Sequence, residues 1–320
     1  MDNNYFNKMF QVLVDNQDTD FIEFVRNNLD LLKDFSKQLG DELYKIPLLE
    51  SDFSESYSFF DTIQIVKEFL GSINPEYPNK LEEFLNNGVI RLAEEDDEEK
   101  DLNYLDQVYG RDNKTYLDIK LTLNHNLEDA FALTHEFMHS TNLSDDSSVD
   151  RFLFTEGISV LYEFLLYDFL KTKNIKKSDN VLVMINIINH IIDRCDYLKA
   201  NLELIEDNIN NIKRLDEIDI ADEESDESFY DDVDEMYKNL IDDVKYTFSG
   251  LISVLCFYNY KNGLISIENI ESFNESIKTS ENQESLRNIF ISLPNIEDIK
   301  KASEFLNDDL FSYLRNNKTK

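Results

Sequence analysis

Apolar residues recur three and four positions apart over long stretches of the chain, most clearly in residues 21–39, 161–172 and 181–205. That spacing puts them on one face of an α-helix and predicts a mainly α-helical protein. Residues 5–90 read as several amphipathic helices, with Pro47, Pro75 and Pro78 marking the breaks. Residues 116–123 depart from the pattern: apolar and polar positions alternate, as in a half-buried strand. Asn124, His125 and Asn126 end that strand. Asn126, with Asp129 three residues on, is placed to cap a helix over about 127–140. A polar loop follows over 141–148, then a second helix from about 150 through 170. Residues 216–235 are acidic with few large apolar side chains and read as the least ordered segment. Residues 244–260, with Ser249 and Gly250 among apolar neighbours, read as a buried helix lying close to its partners. The elements together predict a helical fold with a small β-sheet beside one helix.

The helix expected over 127–140 carries His135, Glu136 and His139, an H-E-x-x-H run. Two histidines four apart on a helix point the same way, so their rings can grip one Zn²⁺. The intervening Glu136 is then placed as the general base for a zinc-activated water. A catalytic zinc needs a third protein ligand from a separate element. Glu156 is the candidate, 17 residues beyond His139 on the next helix. Glu163 falls on nearly the same face of that helix, where a carboxylate can orient a ligating histidine through its other ring nitrogen. An oxyanion needs one more donor, for which Tyr246 and Tyr237 are candidates. His125 reads as a strand-end residue that could border a cleft, and His190, in an apolar stretch, as a core histidine. The strand over 116–123 is the candidate edge for an extended peptide to join by main-chain hydrogen bonds.

Charge narrows the partners. The 66 acidic residues against 31 basic ones give a net charge of −35. Such a field repels the phosphates of nucleic acid and of anionic membranes, and it attracts basic peptides. Seven Gly and four Pro in 320 residues leave few interruptions, and 42% hydrophobic content allows a sizeable core. Cys195 and Cys256 lie in apolar helical contexts and read as buried free thiols. No signal peptide or membrane span is read from the sequence, so a cytoplasmic location is expected. The block Glu94 to Glu99 reads as a solvated surface.

Residues 127–139 resemble the active-site helix of the thimet oligopeptidase/oligoendopeptidase F family, and Thr155-Glu156-Gly157 through Glu163 resembles that family's third-ligand helix. The Glu-Gly…Glu pattern is also similar to that of aminopeptidase N-like zinc enzymes. The strand, Asp129 and the Leu133-Thr134 pair before His135 favour the oligopeptidases. The resemblance covers about residues 112–170, with a weaker echo at 246–250. It implies a zincin-like (gluzincin) core with one zinc at His135, His139 and Glu156, and Glu136 as general base. It also implies a helical, two-lobed shell around a deep channel. Met138 stands where the family usually has Gly, the loop between His139 and Glu156 is short, and the chain is shorter than typical members. The expected organisation is an N-terminal helical region over 1–111 packing on a catalytic region over 112–320. The expected activity is that of a zinc metallopeptidase acting on peptide or unfolded polypeptide. The same residues admit two alternatives: a catalytically weak or inactive peptide-binding protein on the same fold, or a secreted effector protease that cuts one specific protein.

Overall fold

The structure is a computed structural model that describes residues 27, 28, 30, 32, 52–93, 104–109, 115–141, 149–216, 223–279 and 296–315. Helix α1 (Phe59–Ile73) starts at a reciprocal cap, with Ser58 and Asp61 each satisfying the other's backbone N–H. Val66, Phe69 and Leu70 form its buried face. Pro75 follows its end, and Pro78 sits in the first turn of α2 (Tyr77–Asn86). Gly88 ends α2 with φ +68°, a conformation that costs glycine little, and Val89 N–H reaches back to the Phe84 carbonyl at 2.9 Å. The chain is thereby turned directly into a strand.

Strands β1 (Ile90–Leu92), β2 (Tyr104–Tyr109) and β3 (Thr115–Leu121) form one sheet in the order β1-β3-β2. β1 runs parallel to β3, with Ile90 opposite Ile119, and β2 runs antiparallel to it, with Tyr104 opposite Lys120 and Tyr109 opposite Thr115. β1 and β2 precede residue 112 and β3 follows it, so the sheet joins the two parts of the chain. β3 is therefore central. This corrects the expectation that it offers an open edge: its two hydrogen-bonding sides are taken, and the outer strands are β1 and β2. Sequence periodicity could not show this, because β1 has only three residues.

The turn after β3 starts the next helix. His125 adopts φ 54°, and its carbonyl accepts from Tyr57 N–H and Ser56 Oγ, both at 3.0 Å. Asn126 Oδ1 accepts from Glu128 N–H at 2.7 Å, and Asp129 Oδ1 accepts from Asn124 N–H at 2.8 Å. These bonds serve backbone donors at the start of α3 (Glu128–Thr141). Asp129 caps the turn rather than pairing with Asn126.

α3 lies against α1, the sheet and α4 (Val149–Leu170). Helices α5 (Lys177–Asp216) and α6 (Glu223–Lys261) follow, then α7 (Ile267–Thr279) and α8 (Ile296–Arg315). At 1.5 Å per residue α5 and α6 are each about 60 Å long. The acidic stretch read as least ordered is helical from Glu223 onward, at the start of α6. The most extensive packing is of α4 and α5 on α6. Tyr162, Phe164, Phe248 and Phe257 are fully buried there. Cys195 and Cys256 are buried free thiols, and burial pushes Cys195 up to about 12, so neither is a nucleophile at neutral pH. No helix among the described residues is long and apolar enough to cross a membrane. The acidic block Glu94 to Glu99 lies outside the described residues.

Candidate metal centre

α3 supplies two imidazoles on one face, with ring centroids 4.6 Å apart and Nε2 atoms 2.9 Å apart. α4 crosses α3 and brings Glu156 to them. One carboxylate oxygen lies 3.3 Å from His135 Nε2 and the other 3.2 Å from His139 Nε2. The Glu156 side chain is only 3% exposed, and each histidine 17%. Further along α4, Glu163 Oε1 contacts His135 Nδ1. That contact fixes the ring so that Nε2 faces His139 and Glu156.

Close helix packing sets this position. Gly157, next to Glu156, faces α6, where an added Cβ would meet Ile252 Cγ2 and the Ser249 carbonyl at 3.5 Å. The Ser253 hydroxyl lies within hydrogen-bonding reach of the Gly157 carbonyl, 2.7 Å, and of the Ser249 carbonyl, 2.6 Å. On the other flank of α6, Gly250 lies so close to Ile191 of α5 that a Cβ would stand 2.5 Å from Ile191 Cγ1. On α4 itself, the Tyr162 hydroxyl donates to Glu271 of α7, whose other oxygen accepts from Asn74 at 3.0 Å. The turn of α4 carrying Glu163 is thus tied to two other elements.

The charges form a coupled set. Burial disfavours a charged His135, but the neighbouring Glu156 and Glu163 outweigh it and hold the ring's pKa well above the ordinary value. Burial likewise opposes a charged Glu156, yet His135 and His139 keep its carboxyl well below the usual range. Glu163 is pushed up by burial and by Glu156 and Glu136, against the pull of His135. The cluster therefore favours a cation among its three donors. Donors on a tetrahedral zinc at ~2.0–2.1 Å stand about 3.3 Å apart. The separations of 2.9, 3.2 and 3.3 Å are close to that, and a His₂Glu set is a common zinc donor set. The residues present fit a zinc ion.

Glu136, between the two histidines, is buried at 8% exposure. Its charge is felt at Glu163 and Tyr246. Tyr246 of α6 is half-buried. Burial, then the charges of Glu156 and Asp242, raises its hydroxyl well above 10, so it stays a proton donor. Tyr237 is on α6 as well, but its side chain lies outside the described part of the structure. His125 is an exposed turn residue that organises the start of α3. His190 is exposed, which corrects its reading as a core histidine. Its ring stands edge-on to Tyr246, with centroids 5.9 Å apart, and desolvation there, with the Arg194 charge, holds its pKa below the ordinary histidine value. Apolar neighbours at 188 and 191 suggested a core position, but on a helix residue 190 is turned about 100° away from 191.

Two cations at the site were missed in the sequence. Lys245 Nζ is 3.7 Å from Glu156 Oε2 and 5.1 Å from the Tyr246 ring centre. The Arg194 guanidinium lies 4.8 Å from the same ring. No spacing signal marks them, since α5 and α6 bring them together from positions 51 apart (245 − 194).

Compared by sequence, the chain matches no protein-family model and no curated protein. Compared by structure, it is similar to three solved peptidases. One is described as an oligoendopeptidase F from Bacillus anthracis str. Ames, with TM-score 0.53, 11% identity and 98% of this chain covered. The second is described as a peptidase from Chlamydophila abortus, with TM-score 0.51, 16% identity and 90% coverage. The third is a PZ peptidase A bound to an inhibitor, with TM-score 0.51, 12% identity and 91% coverage. The chain spans only 57%, 55% and 57% of those structures. At such identities the likeness establishes the fold, which is oligoendopeptidase-like, as the motif-bearing helices suggested.

Proposed function

We infer that this oligoendopeptidase-like fold carries a zinc-dependent peptidase that hydrolyses peptide bonds in peptides or unfolded polypeptide. The observation that carries the reading is the convergence of two imidazoles and one buried carboxylate, with Glu163 fixing the first ring. His135, His139 and Glu156 would hold the metal. When bound, zinc polarises the scissile carbonyl and lowers the pKa of water towards about 7. Glu136 takes the proton of the attacking water and passes it to the leaving amine. Glu163 holds His135 in the productive tautomer. Tyr246 keeps its proton and would donate a hydrogen bond to the developing oxyanion, with Tyr237 as the other tyrosine assigned to that role. An extended substrate would lie along an outer strand. β2 is the better placed, because it contacts α3. The net charge of −35 favours basic peptides and disfavours nucleic acid and anionic membranes. A cytoplasmic setting belongs to the same reading.

The test is elemental analysis of the purified protein beside His135→Ala, followed by a peptide-library assay of Glu136→Gln. About one zinc per chain, lost in His135→Ala, is expected. Glu136→Gln should keep the zinc while turnover falls by about 10²-fold or more. Undiminished hydrolysis by a zinc-loaded Glu136→Gln protein would remove the assignment.

A further inference from the structure

α7 supplies none of the three metal donors, yet its side chains reach both helices that do. One oxygen of Glu271 accepts from the Tyr162 hydroxyl of α4, and the other from Asn74 Nδ2 at 3.0 Å, just past the end of α1. The Tyr77 hydroxyl at the start of α2 bonds to the same carboxylate, and burial, then the Glu271 charge, pushes its pKa up. Asn274, fully buried on the same helix, donates to the Tyr77 oxygen at 3.2 Å and to Thr141 Oγ1 at 3.5 Å. Thr141 ends α3, two residues beyond His139. Phe273 adds an edge-on contact with Phe154 of α4, ring centroids 5.4 Å apart. Tyr162 is fully buried, so its hydroxyl must find its acceptor within the protein. A charged acceptor makes that bond one of the stronger kind.

We propose that Glu271 is a positioning residue of the metal centre: by holding the Tyr162 hydroxyl it fixes the turn of α4 that aims Glu163 at His135. Tyr162 and Glu163 are neighbours in sequence, so they leave the helix about 100° apart. One points to α7 and the other to the His135 ring. A helix pinned at Tyr162 cannot turn about its axis without swinging Glu163 away from Nδ1. A turn of about 10° moves a carboxylate lying about 5–6 Å from the axis by about 1 Å. That is enough to take a hydrogen bond out of its working range. Asn274 holds the end of α3 from the same helix, so the crossing of α3 and α4 is set against one common support. The proposal rests on the zinc-peptidase reading, and it extends the metal centre to a helix that carries no ligand.

The experiment reads zinc affinity by chelator competition in the full-length protein. Tyr162→Phe removes one hydroxyl and keeps the ring. It should weaken zinc binding by about 3–10-fold, less than loss of the Glu163 charge itself. Glu271→Ala should weaken it to the same extent, and Glu271→Gln, which keeps an acceptor for Tyr162, should recover most of the loss. In Glu163→Gln protein, Tyr162→Phe should change the affinity by less than about twofold, because the contact it acts through is already impaired. Tyr167→Phe is the control: it breaks the same kind of bond further along α4, from the Tyr167 hydroxyl to Asp309 at 3.1 Å, and should leave zinc affinity unchanged. Parental affinity in Tyr162→Phe overturns the positioning role and leaves the peptidase reading standing. An equal loss in Tyr167→Phe does the same, since any loosening of α4 would then suffice. So do losses from Tyr162→Phe and Glu163→Gln that simply add. A parent protein that binds no zinc overturns both readings.

Discussion

Gly250→Ala tests whether the close approach of α5 and α6 shapes the region that holds the candidate site. The added methyl would stand 2.5, 2.8 and 2.9 Å from Ile191 Cγ1, Cγ2 and Cδ1. Carbon atoms pack best at about 3.5–4.0 Å, so Ile191 must retreat by about 1 Å. It has little room to do so. The residue is 4% exposed within the core, and a β-branched side chain on a helix is held near one χ1 rotamer. Overpacking of this kind costs about 1–3 kcal/mol, and Ala gains about 1 kcal/mol over Gly in helix propensity. Three carbons are crowded at once, which puts the strain at the upper end and the net loss at about 1–2 kcal/mol. Gly157→Ala is the control. Its Cβ would meet nothing nearer than 3.5 Å, so propensity alone should act, with a gain of about 0.5–1 kcal/mol. Urea unfolding at pH 7 of the two variants, and of Gly250→Ala combined with Ile191→Ala, reads all of these terms. In the Ile191→Ala background the Gly250→Ala penalty should vanish, because the methyl then enters space that the truncation opens. A Gly250→Ala protein as stable as the parent, or a penalty unchanged by Ile191→Ala, would refute the reasoning.

Three further outcomes follow from the same geometry. Glu163→Gln keeps the shape beside His135 Nδ1 but removes the charge, so zinc affinity should fall by about 10–100-fold in a chelator competition, and an unchanged affinity would deny Glu163 its orienting role. In the metal-free chain the His135 pKa is raised well above its ordinary value, so this ring carries a proton at pH 7 that zinc must displace. Calorimetry in buffers of different ionisation enthalpy should report release of about one proton, and affinity should weaken as pH falls. Asp179 accepts from Ser54 N–H at 3.1 Å, Ser54 Oγ at 2.7 Å and Glu55 N–H at 3.0 Å, anchoring the segment before α1 to the first turn of α5. Burial would raise its pKa, but these bonds prevail and lower it. Its stabilisation should therefore be full above the unfolded value of about 3.9 and lost as pH falls through the lower folded value. Asp179→Asn should cost about 1–2 kcal/mol at pH 7, and its deficit in urea melts should shrink only below about pH 4.

What could be read from the sequence was set by range along the chain. His135, Glu136 and His139 lie within five residues on one helix, and their common face follows from helical geometry alone. Glu156 and Glu163 needed only the further step that the next helix crosses back over the first. The caps, the breaks at Pro75 and Pro78 and the small-residue approach at Gly250 are likewise local, and the structure places them close to where the pattern did. β3 was legible as a strand from its alternation. Its central place was not, because β1 is three residues long and pairs with residues 119–121 across almost thirty positions. The approach of Lys245 and Arg194 to the Tyr246 ring was hidden for the same reason. Arg194 and Lys245 sit on different helices, each among residues that an amphipathic pattern assigns to a solvated face. His190 shows the cost of reading one residue by its neighbours. Ile188 and Ile191 are buried, and the imidazole between them faces Tyr246 beside the metal ligands. A helix face that borders a cleft is half apolar by necessity, since its other half packs the core. Titratable residues embedded in such a face are therefore those that hydropathy most readily misassigns, and in this chain three of them stand at the site.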